Sequence, residues 1–144
     1  MRHRIDELLK HFELLNWQDE LVEGFSHGMK QRLVLCAALV HEPRILIVDE
    51  PMVGLDPKGA RTIKDLFRSL AKAGTTIFLS THSISVAEEV CHQIGIIQKG
   101  HLIASGSMAD IYRLTDGHDS NLEDVFLELT QQQDDLALSG ERRL

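Results

Sequence analysis

The first part of the chain has apolar residues at the spacing of an amphipathic helix. One stripe of that helix is formed by Ile5, Leu8, Leu9, Phe12 and Leu15. Asn16 is predicted to end it, and a short helical piece from Trp17 to Val22 follows. Ser26 is a good cap for a longer helix that runs to about Val40, because a serine hydroxyl can accept from the first exposed N–H groups.

Two short apolar runs flank the next helix. Ile45 to Val48 are consecutive large apolar residues, too few for an ordinary helix and typical of a fully buried strand of a parallel sheet. Asp56 and Pro57 provide a cap and a first-turn proline for a helix that ends near Gly74. Thr75 to Ser80 form a second strand, rich in β-branched and aromatic residues. This order predicts a βαβ unit with parallel strands.

The second half of the chain predicts shorter elements. Ser85 and Glu88 have the spacing of a capping box at the start of a short helix. Lys99 and Gly100 lie between two apolar runs, which predicts a hairpin at the edge of the same sheet. The remaining predicted elements are a helix from a cap at Ser107 to Leu114, an amphipathic helix with Leu122, Val125, Phe126 and Leu129 on one face, and a polar, disordered tail over residues 131–144.

Composition limits the class of protein. Of the 144 residues, 43% are apolar and 26% are charged, which is the balance of a globular domain. The longest apolar run, Leu33 to Val40, is far shorter than the roughly 20 residues that cross a bilayer. The net charge is -7 and no basic cluster stands out, which argues against nucleic acid as a partner. Cys36 and Cys91 stand far apart and the start has no signal-peptide pattern, so we expect reduced thiols and a cytosolic location.

Chemically capable side chains follow both predicted strands. Asp49 and Glu50 come directly after the first strand, at the edge where open α/β sheets bind ligands. Asp49 suits a hard cation such as Mg²⁺, which takes oxygen ligands, and Glu50 could polarise an attacking water. His82 follows the second strand and can reach the same place. Two carboxylates after a strand are about as often only a cap or turn, and a lone histidine is more often structural.

Two further residues have both a structural and a chemical interpretation. The exposed amides after Ser26, including that of Gly28, lie at a helix N-terminus, which attracts an anion such as a phosphate. As an isolated feature, Ser26 is better explained as a cap alone. Asp56 can likewise cap the following helix and also reach across an interface.

Four motifs occur together in a fixed order. FSHGMKQRL covers Phe25 to Leu33, ILIVDE covers Ile45 to Glu50, GLDP covers Gly54 to Pro57, and His82 follows the second strand. In order and spacing these motifs resemble the nucleotide-binding domain of ABC transporters, over nearly the whole chain. The resemblance implies an α/β fold of the P-loop NTPase (ABC ATPase) type, with a parallel sheet core, flanking helices and a helical signature subdomain.

The resemblance also assigns roles to the candidate residues, with ATP and Mg²⁺ as the cofactors. Asp49 is the magnesium ligand, Glu50 is catalytic, and His82 is the catalytic switch histidine. By the resemblance, Phe25 to Met29 are the signature motif, Asp49 and Glu50 close the Walker B strand, and Gly54 to Asp56 form the D-loop. Nucleotide contacts are assigned to Ser26, His27, Gly28, Met29, Gln31 and Asp56. His27 and Met29 depart from the common signature, which has glycine and glutamine at those positions.

The phosphate-cradling motif GxxxxGK[ST] does not occur in the 144 residues. The chain therefore resembles the latter part of such a domain, incomplete at its start. The expected division is a helical signature subdomain over residues 1–42, the Walker B, D-loop and switch part of the α/β core over residues 43–130, and the tail. Alone, the chain is expected to bind ATP poorly, to show no ATPase activity above background, and to leave apolar faces of its sheet uncovered.

The function implied by the resemblance is that of an ATP-binding subunit, in part, of an ABC transporter that couples ATP binding and hydrolysis to transport. FSHGMKQR and NLEDVFLEL favour the multidrug and ion exporter group, and hence export. The implied partners are a membrane-spanning subunit and a second ATPase subunit, at the inner face of the plasma membrane. Two alternatives stay open: a catalytically inert fragment or regulatory dimerisation partner, and a soluble ABC protein of translation or DNA repair.

Overall fold

The computed structural model describes residues 2–114 and 121–141, and the chain divides into two compact units. Unit 1 is Met1–His82 and unit 2 is Ser83–Leu144. Unit 1 contains α1 (Arg2–His11), α2 (His27–Leu39), β1 (Ile45–Asp49), α3 (Pro57–Lys72) and β2 (Thr76–Ser80), with short 3-10 turns at Leu15–Trp17 and Val22–Gly24. Unit 2 contains α4 (Ile84–Val90), β3 (Gln93–Gln98), β4 (His101–Ser107), α5 (Met108–Tyr112) and α6 (Leu122–Glu141). This division falls at a different place from the predicted one at residue 42, which stays a prediction.

The parallel strand pair of unit 1 confirms the predicted βαβ order. β1 and β2 are in register from Ile45 opposite Thr76 to Asp49 opposite Ser80, and α3 connects them. Asp56 caps α3 and Pro57 occupies its first turn, as predicted. Gly74, with φ of 97°, then turns the chain into β2, and glycine adopts that left-handed conformation without steric cost. Both strands consequently end at the same edge of the sheet.

The prediction that β1 is buried on both faces is wrong. Leu46 is buried, but Ile45 is 64% exposed and Ile47 is 72% exposed. Phe78 of β2, opposite Ile47 in the register, is 65% exposed. Successive strand residues point to opposite faces, and within the described residues only one face of this two-stranded sheet packs against the core. The other face carries an apolar patch, as the sequence predicted for an uncovered sheet.

The helices of unit 1 build its core on the covered face of the sheet. α1 ends at His11, earlier than the predicted end at Asn16, because Glu13 takes a left-handed conformation with φ of 59° and the chain turns there. α2 begins at the predicted cap, since Ser26 Oγ accepts from Met29 N at 3.2 Å. The buried core consists of Leu8, Phe12, Leu14, Phe25, Leu35, Cys36, Leu39, Leu46, Ile63 and Phe67.

Unit 2 is organised around an antiparallel hairpin. β3 and β4 are joined at Lys99 and Gly100, whose φ values of 49° and 80° suit a tight hairpin turn. The turn is as predicted, but its placement at the edge of the first sheet is wrong. In the part of the chain that the structure describes, β3 and β4 form a sheet of their own. The buried core of this unit consists of Ile96, Ala104, Ile111, Leu122 and Val125.

Two helix ends of unit 2 differ from the predictions. α4 has Ser83 as its cap residue, so the predicted capping box of Ser85 and Glu88 is wrong. The Glu88 carboxylate instead accepts from Leu122 N at 3.0 Å and from Tyr112 Oη at 2.9 Å. A tertiary partner for the carboxylate therefore replaces the local cap. A capping box does occur at α5, between Ser107 and Asp110.

The last helix is longer than the sequence predicted. α6 continues to Glu141, whereas a disordered tail was predicted from residue 131. Good helix formers such as glutamine, leucine and alanine recur in this stretch, which allows a polar sequence to extend a helix. Residues 142–144 of the predicted tail lie outside the described residues. Among the helices that the structure describes, none combines the length and apolar character needed to cross a bilayer.

Candidate active site

Two predicted site residues, Asp49 and Glu50, lie at the carboxyl ends of β1 and β2. Asp49 is the last residue of β1 and lies opposite Ser80, the last residue of β2. Ser80 Oγ donates a hydrogen bond to Asp49 Oδ1. Glu50 follows directly, and its N–H donates to Ser80 O at 3.1 Å, which prolongs the strand pairing by one residue. The parallel register thus fixes where both carboxylates stand.

Glu50 and His82 form a directly hydrogen-bonded pair. Glu50 Oε1 accepts from His82 N at 2.8 Å and lies 2.7 Å from His82 Nδ1. The second oxygen, Oε2, accepts from Thr81 Oγ1 at 3.3 Å. The Glu50 side chain is 33% exposed and that of His82 is 79% exposed. The carboxylate is therefore held in one orientation while the site stays open to water and to a ligand.

The backbone of Glu50 is in an unusual conformation. Its φ of 44° lies in the left-handed region, which costs a residue with a Cβ on the order of 1–2 kcal/mol. The Glu50 carbonyl accepts from Val53 N at 3.2 Å and from Gln31 Nε2 at 3.4 Å. Strain of this kind persists where surrounding contacts hold it in place, and it is concentrated at functional sites.

The signature segment lies at the start of α2. Ser26 and His27 are exposed, while Gly28, Met29 and Gln31 are half-buried. Met29 packs partly against the core of unit 1, and Gln31 reaches the Glu50 carbonyl. Of the predicted nucleotide contacts, Ser26, His27 and Gly28 are therefore at the accessible end of α2, where unpaired N–H groups and the helix dipole favour an anion.

The D-loop residues pack against this segment. A Cβ placed on Gly54, whose φ is 75°, would clash with His27 Cδ2. A Cβ on Gly28 would lie 3.2 Å from Leu55 Cδ2. The structure thus brings His27 and Gly28 together with Gly54 and Leu55. Asp56 acts as the predicted cap, because its Oδ1 accepts from Gly59 N at 3.1 Å.

Comparison with known proteins gives a consistent result. The model of the family described as "AAA domain, putative AbiEii toxin, Type IV TA system" matches residues 3–88. The daunorubicin resistance ATP-binding protein DrrA3 of Streptomyces coeruleorubidus is 39% identical over 81% of this chain and 37% of its own length. The Nod factor export ATP-binding protein I of Paraburkholderia xenovorans is 42% identical over 74% of this chain and 35% of its own length.

A solved structure described as the ATP-binding subunit of an ABC transporter superposes with a TM-score of 0.84 and 32% identity, covering 90% of this chain. The chain belongs to the ABC transporter ATP-binding proteins. Its fold is that of a P-loop NTPase of the ABC type. The chain spans about half the length of that structure, 54%, and about a third of the two relatives named above.

Membership of the ABC ATPases implies nucleotide binding, and the residues present fit a magnesium nucleotide in part. Within the described ranges, no group of three or more His, Cys, Asp or Glu side chains could hold a metal. Mg²⁺ needs no such cage, because it is usually bound by one or two carboxylates together with phosphates and waters. Asp49, with the Ser80 hydroxyl beside it, offers oxygen donors of the required kind.

The ABC motifs did not predict all of the residues around the site. Thr81 and the carbonyl contact of Gln31 carry no local sequence signal, since both depend on the tertiary fold. The sequence motifs also do not predict a polar pocket of about 240 Å³ beside Asp56.

In this pocket Glu13 Oε1 lies 2.7 Å from Lys58 Nζ, and this hydrogen bond lowers the pKa of Glu13. Arg32 Nη1 lies 3.7 Å from the other oxygen of Glu13.

Proposed function

We propose that this chain provides the hydrolytic half-site of an ABC transporter ATPase, with Glu50 and His82 as its catalytic residues. The observation that carries the proposal is the double contact of Glu50 Oε1 with the backbone N–H and the imidazole of His82. This contact stands at the carboxyl edge of a parallel sheet, where open α/β folds bind their ligands.

Each residue has a distinct role in this proposal. The Glu50 carboxylate orients and polarises the water that attacks the terminal phosphate, and its fixed position reduces the entropic cost of that step. The exposed His82 ring is held through Nδ1, so Nε2 of an imidazolium can donate to a phosphate oxygen. Asp49 would hold Mg²⁺, which would neutralise phosphate charge when bound. Ser26, His27 and Gly28 receive phosphate oxygens at the start of α2.

The relatives support the assembly that we propose. One is a resistance protein, one is an export protein, and the superposed structure is a subunit of a transporter. By analogy, this chain works with a membrane-spanning subunit and a second ATPase subunit, at the inner face of a membrane, in export. Asp56 and the signature segment face that second subunit in our proposal. Met29 packs the segment against the core and Gln31 bonds it to the Glu50 carbonyl.

The test uses the assembled transporter in membrane vesicles and measures Mg²⁺-dependent ATP hydrolysis together with bound nucleotide. Glu50→Gln removes the negative charge that polarises water, so we expect kcat to fall by about 100-fold or more. His82→Ala is expected to lower kcat by about 10-fold to 100-fold. Nucleotide binding is expected to stay within about twofold of wild type in Glu50→Gln, because Glu50 acts on the attacking water and makes no proposed contact with the nucleotide. His82→Ala also removes the proposed donor to a phosphate oxygen, so its bound nucleotide is measured alongside kcat.

Matched controls separate this effect from general damage. Glu123→Gln and His41→Ala make the same chemical changes at exposed positions outside the proposed site residues, and both should leave kcat unchanged. Hydrolysis that survives Glu50→Gln at the wild-type rate would refute the proposed role. An assembly that binds a second ATPase subunit but hydrolyses nothing in the wild type would favour the regulatory-partner alternative.

A further inference from the structure

We propose that His27 and Gln31 are positioning residues for Glu50: together they hold the turn over residues 50–55 against the first turns of α2. This inference rests on the proposed function, because it gives the catalytic carboxylate a support within its own chain. Neither residue touches Glu50's carboxylate or the attacking water; the phosphate contact proposed above for His27 is a separate role at the start of α2. Each acts through the backbone of the turn.

The first contact is made by Gln31. Its side-chain Nε2 donates to the Glu50 carbonyl at 3.4 Å, and Val53 N donates to the same oxygen at 3.2 Å. The direction of this carbonyl is set by the backbone torsions of Glu50, whose φ is 44°. A donor placed on it therefore favours the left-handed conformation over the extended one that a residue with a Cβ prefers. Gln31 thereby contributes to the direction in which the carboxylate leaves the backbone.

The second contact is made by His27 on Gly54. The space that a Cβ on Gly54 would need is filled by the His27 ring, with Cδ2 nearest and Nε2 at 3.0 Å from the Cβ position. The ring thus lies directly on the backbone of the turn. Leu55 N donates to Met52 O at 3.3 Å inside the same turn. Because the His27 ring occupies the space beside Gly54, a displacement of the start of α2 is expected to move this turn.

The two contacts lie on successive turns of α2 and meet the two ends of one short turn. Gln31 holds Glu50 at the beginning and His27 holds Gly54 near the end. His27 also stands where the common signature has glycine, which has no side chain to make this contact. The structure therefore assigns to His27 a supporting role that the common signature sequence does not provide.

Hydrogen exchange of the full chain in its assembly, without nucleotide, provides a test that is independent of hydrolysis. Gln31→Met keeps the size of the side chain but removes the donor, and we expect the Val53 and Leu55 amides to exchange about 10-fold faster. Val34→Met is the control on the same helix, since Val34 is 65% exposed, and it should not change these rates. Unchanged exchange at Val53 and Leu55 in Gln31→Met would overturn the role of Gln31.

A double-variant cycle tests His27. Gly54→Ala adds a Cβ into the ring, so we expect kcat to fall about 10-fold or more with little change in KM. Adding His27→Ala to Gly54→Ala removes the clash and should raise kcat at least about threefold above that of Gly54→Ala. The rest of the loss is expected to remain, because alanine is disfavoured at the positive φ of position 54. A double variant no better than Gly54→Ala would overturn the role of His27. If hydrolysis proves independent of Glu50, the proposed function fails, while the exchange results still decide whether the contacts support the turn.

Discussion

The two units of the chain pair their strands in opposite ways, and only one of them carries candidate chemistry. Unit 1 pairs β1 with β2 across a helix, so that Ser80 reaches Asp49 from 31 positions away. Unit 2 pairs β3 with β4 across the tight turn at Lys99 and Gly100. All the predicted site residues lie in unit 1. The difference teaches that long-range parallel pairing gathers distant side chains at one edge, while a hairpin mainly completes a local core.

The largest expected effect tests whether each unit depends on its own core. Phe67→Ala in unit 1 and Ile111→Ala in unit 2 each remove a buried side chain, and each should cost about 2–5 kcal/mol of unfolding free energy. Hydrogen exchange should show the loss of protection mainly in the unit that carries the substitution. Equal loss in both units for either variant would mean that the chain unfolds as one cooperative body, and the comparison would fail.

An intermediate effect concerns the exposed faces of the two sheets. Ile47 and Phe78 face outward from unit 1 with Ile45 beside them, whereas Ile97 and Leu102 form an exposed cross-strand pair in unit 2. Larger contiguous apolar patches favour association. Replacing Ile47 and Phe78 by threonine should raise the monomer fraction of the isolated chain in size-exclusion chromatography with light scattering.

The matched change to threonine at Ile97 and Leu102 should raise the monomer fraction less. If the unit 2 variant gives the larger increase, the uncovered face of the parallel sheet is not the main source of association. The uncovered face is predicted to cause association or partial unfolding of the isolated chain. A wild-type chain that is already a monodisperse monomer with a cooperative melting transition would contradict this prediction.

Much of this contrast could be predicted because its signals are local. Ser26 and Asp56 cap their helices, and Lys99 with Gly100 forms the hairpin turn, through contacts within a few residues. The strand–helix–strand order could also be predicted from the sequence, because the spacing of apolar residues differs between a strand and a helix. The position of Asp49 and Glu50 at a strand end followed from that order alone.

What could not be predicted depends on contacts between distant residues. Four apolar residues in β1 indicated burial on both faces, yet Ile45 and Ile47 are exposed because only one face meets the core. Glu88 had capping-box spacing, but its carboxylate is taken by Leu122 and Tyr112. The support of Glu50 by Gln31 likewise appears only when α2 is packed beside β1.

An effect that appears only above about pH 9 concerns the pH dependence of stability in unit 1. Burial raises the pKa of the Cys36 thiol to about 12 from an ordinary value of 9.0. The folded state therefore keeps the proton where the unfolded state releases it, and the free energy of unfolding should fall as pH rises from about 9 toward 12. Urea titrations at several pH values should show this extra slope in wild type and not in Cys36→Ala. An equal slope in both would contradict the assignment.

The most direct test of the central claim compares Mg²⁺-dependent ATP hydrolysis by the 144-residue chain alone with hydrolysis after co-expression with a segment that carries GxxxxGK[ST]. The account predicts background rates for the chain alone, restored turnover for the pair, and loss of that turnover in Glu50→Gln. Sustained turnover by the pure chain alone, or restored turnover that Glu50→Gln leaves unchanged, would contradict it.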